Sequence, residues 1–592
     1  MKRMELKNAL PLRPLWAFCQ AALIMNWMAN LAGTAELAGT DSLFSIYALV
    51  GVAGAFCVYD NYLHRRLLPQ GGWLGSCALS ILFSLATWGS NYPLFTTIRD
   101  TAIMSYSTSL LLNLINTVFS LAGGWVVCFA ILTCLTHRLP LAEGGAPGEK
   151  PRQVFGLTFG FLVLVYGAYL LLDEYPGHVT PDSLDQIEQG AAGIYSNNHP
   201  YWHTRLVRVL MLAGYKLLGT PNGAVAFYSL CQLVLMAFTF ALVTVTLYQA
   251  GVPKWVCLLS PGAYGLIPYH IAYSITMWKD VPFALGIVLT AVGLVRLVYD
   301  LGGRKGNYLI LALGAVLMGL MRNAGLAALA GLAGFCLPGL IRRSRGAWCV
   351  LAGAAVLCAV LTGPVLTALN VQESDPVEGM SLPLQQMARV VAQGEDLTEE
   401  EAQLLGRIFD LERIPEIYTP WLSDPVKIHI HEGDLDYLRE NQDAYQDLWL
   451  NLGKRYPGVY LAAWVEQTKG YWNGGYDYHQ YAEMVEENPF GMHKTGGTFL
   501  APLAGLYFGL WRNAVIVQPL QSIGLQVWIL GLCLFLNLRS KRRLWMICLP
   551  PLLIVLGLLL GTPVFAEFRY SYSVFALMPL ALGLTLFPPR EE

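Results

Sequence analysis

Long apolar runs recur along most of this chain and constrain its fold more than any other feature. Several runs reach about 18 residues or more, the length at which a helix can cross the hydrocarbon core of a bilayer. Hydrophobic residues make up 55% of the 592 residues and charged residues 13%, and the mean hydropathy is +0.47. So few charged residues exclude an ordinary soluble domain. The sequence therefore predicts an all-α polytopic membrane protein.

Basic residues between the runs orient them, because cytoplasmic loops of membrane proteins are rich in Lys and Arg. This rule predicts about fourteen crossings of a cell (plasma) membrane, with both termini in the cytoplasm. One of these spans is predicted near 255–273. The first apolar run is longer than the core of a signal peptide and no A-x-A site follows it, so we expect it to be a first span.

Charge and hydropathy divide the chain into segments. Residues 371–498 hold 23 Asp and Glu against 9 Lys and Arg, whereas the rest carries 17 acidic and 29 basic residues. This asymmetry argues against nucleic-acid binding and favours a protein whose faces meet different compartments. The predicted domains are an accessory bundle at 1–153, a membrane core at 154–370 with an external loop at 173–208, an acidic, mainly helical external domain at 371–498, and C-terminal spans at 499–592.

The predicted orientation brings four polar clusters to the external face of the membrane. They are the loop 173–208, Lys279-Asp280, Arg322-Asn323 and the segment 567–570. Carboxylates beside cations at a lipid boundary can activate a hydroxyl and also hold a phosphate.

Each of these residues also has a simpler interpretation. Asp182 is compatible with a helix N-cap, and Lys279 with an interfacial ion pair. Arg322 and Arg569 are compatible with side chains that extend toward the lipid headgroups.

Three motifs follow one another in the external loop: TPDS at 180–183, GIYS at 193–196 and HPYWHT at 199–204. Their order resembles the first external loop of the GT-C superfamily of polytopic glycosyltransferases, where an acidic residue precedes an aromatic-rich stretch and a His-Pro motif. The chain also resembles, in further motifs, an uncharacterised bacterial branch that is distantly similar to protein O-mannosyltransferases and aminoarabinose transferases. These are WKD at 278–280, MRN at 321–323, LQQMAR at 384–389, SDPVK at 423–427 and EFRY at 567–570.

The resemblance spans most of residues 154–587 and implies a function. It implies inverting transfer of a sugar from a polyprenyl-phosphate donor to a hydroxyl of a glycan, lipid or protein acceptor on the external face. Asp182 matches the acidic position and is the expected general base. The frequent Asp-Glu pair of the superfamily is Asp182-Ser183 here, while a literal Asp173-Glu174 pair stands nearer the membrane. Asp173 is therefore a second candidate catalytic residue.

Other polar residues are candidates for substrate binding. Lys279, Arg322 and Arg569 are expected to hold the phosphate, since Arg offers two parallel donors and Lys a point charge. His199 and His203 are expected to position the donor or the acceptor. The remaining candidates for substrate binding are Glu174, Asp185, Tyr195 and Asp280.

No metal or other cofactor is predicted, because a single base suffices when the leaving group is already an anion. A divalent cation stays an alternative, since Asp173, Glu174, Asp182 and Asp185 offer hard oxygen ligands. Two other functions also stay open: a transporter or flippase of lipid-linked glycans, and a non-catalytic protein of envelope polysaccharide assembly. A transporter normally carries ionisable residues near the membrane midplane, whereas most charges here lie at the ends of the apolar runs.

Overall fold

The structure of the protein, a computed structural model, describes residues 12–38, 41–70, 72–89, 110–138, 145–430, 433–474, 481, 483–495, 497, 501–561, 564 and 567–590. Throughout these ranges the chain forms helices and no β-strand. Three isolated bridges link His178 with Thr276, Ser196 with Gln372, and Thr419 with Leu422. The predicted all-α class is confirmed.

The N-terminal segment forms a bundle of long helices. They are α1 (Leu12–Ala38), α2 (Asp41–Leu63), α3 (Trp73–Gly89) and α4 (Leu110–Arg138). Trp27 lies at the centre of their core, where its indole nitrogen donates to Thr87 Oγ1 at 3.2 Å. The ring of Phe83 packs edge-on against Trp528, so the bundle contacts the C-terminal part of the chain.

The middle and the end of the chain share one apolar core. Its helices are α5 (Pro151–Leu172), α8 (Pro221–Gln249), α9 (Lys254–Leu266), α10 (Pro268–Tyr273), α11 (Asp280–Val298), α12 (Arg304–Leu320), α13 (Gly325–Arg343), α14 (Arg345–Thr362), α25 (Ile523–Arg539), α26 (Trp545–Leu560) and α27 (Phe568–Leu586). The short helix α15 (Pro364–Ala368) follows α14. Every residue of α11 is buried, so this helix is the axis around which the others pack.

Six of the described helices are long and apolar enough to cross a membrane. They contain Ile46–Leu63, Ile115–His137, Pro151–Leu172, Pro221–Gln249, Asp280–Val298 and Arg345–Ala368. Four further apolar helices are shorter: Trp73–Gly89, Gly325–Leu340, Ile523–Arg539 and Trp545–Leu560. These helices indicate a membrane protein, while the number of fourteen crossings and their sidedness stay predictions.

The span predicted near 255–273 consists of two helices, because the helix is interrupted. Ile267 adopts an extended conformation with φ −80° and ψ 123° between α9 and α10. The following Pro268 explains the break, since a proline disfavours helical geometry in the residue before it and cannot donate a backbone hydrogen bond.

Residues 376–472 form a helical unit of short elements, most of which pack around a core of their own. They are α16 (Pro376–Gly379), α17 (Ser381–Ala392), α18 (Glu399–Ile408), α19 (Ile414–Ile417), α20 (Asp424–Ile430), α21 (Leu435–Glu440), α22 (Gln442–Arg455) and α23 (Pro457–Trp472). A capping box opens α18: Glu401 N donates to Thr398 Oγ1 at 3.2 Å, and Thr398 N donates to Glu401 Oε2 at 2.9 Å. The external location of this unit stays a prediction. After it come α24 (Ala501–Asn513) and a 3₁₀ helix (Val515–Leu520).

Glycine allows α11 and α12 to approach closely, which gives the first testable prediction. A Cβ on Gly293 would lie 2.8 Å from Leu311 Cα, whereas a Cβ on Gly353 of α14 would meet nothing within 4 Å. Both changes to Ala place the same residue in a helix interior, so their gain in helix propensity is similar. We expect Gly293→Ala to be less stable than Gly353→Ala by about 1–3 kcal/mol, the usual cost of overpacking. Thermal unfolding of the purified variants measures the difference, and equal stability would contradict the close packing.

Candidate functional site

The external loop predicted at 173–208 contains two helices, α6 (Pro181–Ala192) and α7 (Tyr201–Leu218). Thr180 is the extended N-cap of α6, and Pro181 occupies the first helical position, where a missing N–H is tolerated. Gly193, with φ +74°, ends α6 in the left-handed conformation that glycine adopts without strain. The interpretation of Asp182 as an N-cap is therefore wrong: Asp182 lies in the first turn.

A chain of hydrogen bonds anchors the start of α6 to the WKD motif. The Thr180 hydroxyl lies 2.8 Å from the Ser183 hydroxyl and accepts from Trp278 Nε1 at 2.9 Å. Ser183 Oγ donates to Met277 O at 2.5 Å and is fully buried. Ser183, where the superfamily often has an acid, thus has a structural role that brings Lys279 next to Asp182.

Asp182 pairs with two cations from distant parts of the chain. Its Oδ2 accepts from Arg569 Nη1 at 2.7 Å and from Lys279 Nζ at 3.4 Å. Within the described residues, no hydrogen bond occupies its other oxygen, Oδ1, and the side chain is 30% exposed. Asp182 therefore has one oxygen engaged by cations and one available to a substrate.

His199 extends this cluster on the side away from Arg569. Lys279 Nζ lies 2.8 Å from His199 Nδ1, which acts as the acceptor because an ammonium only donates. His199 Nε2 then carries the proton and faces Asp185 Oδ2 at 3.5 Å. The order Arg569, Asp182, Lys279, His199, Asp185 gives a row of polar groups of which Asp185 is the most exposed.

Charge and burial act in opposite directions on Asp182. Burial alone would raise the pKa of this carboxyl, but Lys279, Arg569 and His199 together lower it well below its usual value. Burial and the charge of Lys279 lower the pKa of His199, so the imidazole is neutral near pH 7. The cluster thus holds two cations, the carboxylates of Asp182 and Asp185, and a neutral imidazole.

A second ion pair lies beside a cavity of about 210 Å³. Arg322 Nη1 donates to Asp280 Oδ1 at 2.7 Å, and its guanidinium stacks 4.0 Å from the centre of the Tyr570 ring. Asp280 is fully buried, and its Oδ2 has no hydrogen-bond partner among the described residues. Tyr201 and Trp202 line the same cavity as Arg322, so an aromatic wall faces a cation there.

The sequence prediction missed residues that hold the cations in place. Arg569 lies over the rings of Trp278 and Tyr570, each 5.2 Å from the ring centre, and its Nε is 3.2 Å from Glu567 Oε1. Trp278, Glu567 and Tyr570 all belong to the WKD and EFRY motifs. Membership of these motifs could therefore have indicated that they hold Arg569.

Asp173 and Glu174 belong to a different cluster. Glu174 contacts Lys494 Nζ at 2.7 Å and His178 Nε2 at 3.3 Å. Burial followed by the neighbouring Glu174 raises the pKa of Asp173. Among the described residues, neither carboxylate forms a hydrogen bond or an ion pair with Asp182. The structure therefore does not bring the two pairs of candidate carboxylates together.

Two other candidates are held by neighbouring side chains. His203 is fully buried, with Nδ1 3.1 Å from Gln186 Oε1 and Nε2 3.1 Å from Tyr228 OH. Tyr195 OH accepts from Arg208 at 2.5 Å and from Arg205 at 3.1 Å. Both side chains have their polar atoms engaged by neighbouring side chains, which is the bonding pattern of residues that stabilise a structure.

No group of three or more His, Cys, Asp and Glu side chains is close enough to hold a metal ion in the part of the chain that the structure describes. Asp173 and Glu174 lie in one cluster, and Asp182 and Asp185 in the other. The four carboxylates named as possible cation ligands do not converge.

The lowered pKa of Asp182 predicts how stability depends on pH. A carboxyl whose pKa falls on folding stabilises the protein above its unfolded pKa of about 3.9, and this stability is lost as pH falls toward the folded pKa. Asp182→Asn removes the carboxylate that Lys279 and Arg569 share, so we expect it to cost about 1–3 kcal/mol. The deficit should be constant from about pH 8 to about pH 5 and shrink below about pH 4. Thermal unfolding of both proteins across this range measures it, and a deficit that vanishes near neutral pH would contradict the ion pairing.

Residues 190–589 match a family of unknown function, DUF6020. The match includes His199, Lys279, Arg322 and Arg569 and begins after Asp182. No curated protein and no solved structure matches the chain. Since the match covers more than half of the 592 residues, the chain belongs to the DUF6020 family.

Proposed function

We propose that this protein is a membrane glycosyltransferase that moves a sugar from a polyprenyl-phosphate donor to an acceptor hydroxyl, with Asp182 as the general base. One observation carries the proposal. Asp182 Oδ2 accepts hydrogen bonds from Arg569 and Lys279, while none of the described residues forms a hydrogen bond with Oδ1, and the side chain is 30% exposed. A base with a free oxygen beside two cations suits transfer away from a phosphate. The GT-C resemblance supports the choice of donor.

The reaction is a single displacement. The acceptor oxygen attacks the anomeric carbon as Oδ1 of Asp182 takes its proton, and the bond between that carbon and the phosphate oxygen breaks. The electron pair leaves with polyprenyl phosphate, which Arg569 and Lys279 stabilise as an anion. Attack opposite the leaving group inverts the anomeric centre.

The same cations regulate the base. Arg569 and Lys279 lower the pKa of Asp182, and a carboxylate of very low pKa accepts a proton poorly. A donor phosphate that binds both cations shares their charge, so the basicity of Asp182 rises once the donor is in place. The neutral imidazole of His199 directs the Lys279 ammonium through the 2.8 Å contact.

The second ion pair and its cavity are proposed to hold the rest of the substrates. Arg322 is anchored by Asp280 at 2.7 Å and by the Tyr570 ring, so it presents a fixed charge to the cavity. Tyr201 and Trp202 offer flat faces to a sugar ring. Asp173, engaged in the cluster with Glu174 and Lys494, is not assigned as the base.

The proposed arrangement in the cell follows the charge pattern. The chain crosses the plasma membrane about fourteen times, with both termini in the cytoplasm and the acidic residues 371–498 outside. A transporter of the same lipid-linked glycan would not need a carboxylate with a free oxygen beside two cations. The enzyme is therefore preferred over the transporter and the assembly protein.

Substitution of the base tests the function directly. Asp182→Asn keeps the size of the side chain and removes the base, so we expect transfer to fall by about 10²- to 10⁴-fold. Cells that carry this variant should lose one surface glycan modification and accumulate a polyprenyl-phosphate sugar. Mass spectrometry of lipid extracts and surface glycans measures both.

The matched control for this experiment is Glu188→Gln, an equivalent change of an exposed carboxylate on α6. We expect this control to behave like wild type at equal expression. If Asp182→Asn also gives wild-type lipids and glycans while deletion of the protein has a phenotype, the enzymatic proposal is wrong and a non-catalytic role replaces it.

A further inference from the structure

An arginine in the helical unit 376–472 is buried without a counter-ion. Arg389 on α17 is 4% exposed, and its Nε has no hydrogen-bond partner within the described residues. None of the carboxylates that the structure describes lies within 4.0 Å of its guanidinium. A buried cation that lacks a partner is costly, so its retention calls for an explanation.

Another buried arginine of this chain shows what a satisfied guanidinium looks like. Arg296 is 8% exposed and also has no carboxylate partner, but its nitrogens donate to Asn307 at 2.8 Å, Gln249 at 2.7 Å and Thr246 at 3.2 Å. Neutral acceptors thus compensate for burial at Arg296. Arg389 has no comparable set.

Polar atoms near Arg389 are also left without partners in the described part of the chain. They are Gln385 Oε1 and Ser423 Oγ. The Gln385 amide nitrogen donates to Thr419 O at 2.8 Å and Leu422 O at 2.9 Å, which fixes the amide orientation and leaves Oε1 as an acceptor. These two hydrogen bonds also hold the segment 418–423 against α17.

Tyr418 and Ser423 add hydroxyl donors to the group. Tyr418 is a hydrogen-bond partner of Arg389 and lies close enough to Glu466 for its charge to act on the phenol, and burial, which has the largest effect, raises the pKa of that phenol. The phenol therefore stays protonated at neutral pH. Glu466 does not neutralise Arg389, because it pairs with Lys469 at 2.7 Å.

We propose that Arg389, Gln385, Tyr418 and Ser423 bind an anionic saccharide. Arg389 and the two hydroxyls donate to its carboxylate or phosphate, and Gln385 Oε1 accepts from one of its hydroxyls. An inorganic anion without a proton to donate would leave Gln385 unsatisfied, and a neutral sugar would leave the charge of Arg389 uncompensated. The site also gives a role to the LQQMAR and SDPVK motifs, which contribute three of its four residues.

The site is connected to the Asp182 cluster through α23. On this helix, the charge of Glu466 acts on the Tyr418 phenol. Tyr471 lies five residues further along, a rise of roughly 8 Å. Its hydroxyl donates to Val564 O, just before the segment that carries Arg569. That the saccharide is the acceptor of the transferred sugar rests on the proposed function. Binding itself does not.

The test measures binding to the full chain in lipid nanodiscs by ligand-observed NMR. The probes are methyl glucuronoside, glucose 6-phosphate and neutral methyl glucoside. We expect at least one anionic probe to bind at millimolar concentration and methyl glucoside not to bind. The stronger of the two anionic probes identifies the charged group as a carboxylate or a phosphate.

Variants locate the binding site. Ser423→Ala removes a hydroxyl that lacks a partner among the described residues, so the unliganded protein should be as stable as wild type or more stable, while affinity falls by about tenfold. Tyr418→Phe removes the hydroxyl beside Arg389 and should lower the affinity by a similar factor. Arg389→Gln should abolish binding. The control Arg439→Gln changes an exposed arginine of the same unit, 49% exposed and paired with Asp436, and should bind like wild type.

Several results overturn the proposal: no anionic probe binds, methyl glucoside binds equally well, or the Tyr418 and Ser423 variants bind like wild type. Asp182→Asn separates this proposal from the proposed function. We expect this variant to bind the saccharide normally while transfer is lost. Binding without any transfer activity in wild type would reject the glycosyltransferase alone, and transfer activity without binding would reject the saccharide site alone.

Discussion

The pairing of Asp182 with Arg569 and Lys279 is the interaction on which the functional part of this molecule depends. The three residues come from the start of α6, the turn before α11 and the start of α27. Asp182 and Arg569 are 387 positions apart in the sequence. Burial of any one of these charges alone would be costly, so each segment stabilises the others. The loop between α5 and α8, the central helix and the C-terminal helix are thereby fixed around one point.

The remainder of the fold supplies rigid supports for that point. The fully buried α11 holds Lys279 at its N-terminal end and Asp280 in its first turn. Hydrogen bonds from Thr180 and Ser183 hold α6 against Trp278 and Met277. Aromatic rings then orient the guanidinium groups of Arg322 and Arg569. The charges lie at helix ends, where they meet one another without interrupting the apolar packing of the helices.

How much the sequence predicts depends on the range of the interaction. Apolar length predicted most long helices, because this signal is local. The pattern of Thr398 and Glu401 is likewise a local signal, typical of the capping box that opens α18. The break at Ile267 was missed although Pro268 marks it, since hydropathy continues across it. The motifs identified Lys279 and Arg569 as candidate residues. They did not predict that both side chains bind the same atom, Asp182 Oδ2, because this contact depends on tertiary packing. His203 matched a motif as well as His199 did, and only burial between Gln186 and Tyr228 distinguishes the two.

Binding of the donor lipid tests the central claim most directly, because the account holds that the cations paired with Asp182 are the ligands of the donor phosphate. The measurement is the affinity of polyprenyl monophosphate for the purified chain in nanodiscs, for wild type, Asp182→Asn and Lys279→Met. The account predicts that Asp182→Asn binds the lipid severalfold more tightly, because its cations are released, and that Lys279→Met binds at least about tenfold more weakly. Equal affinity in all three proteins would contradict it.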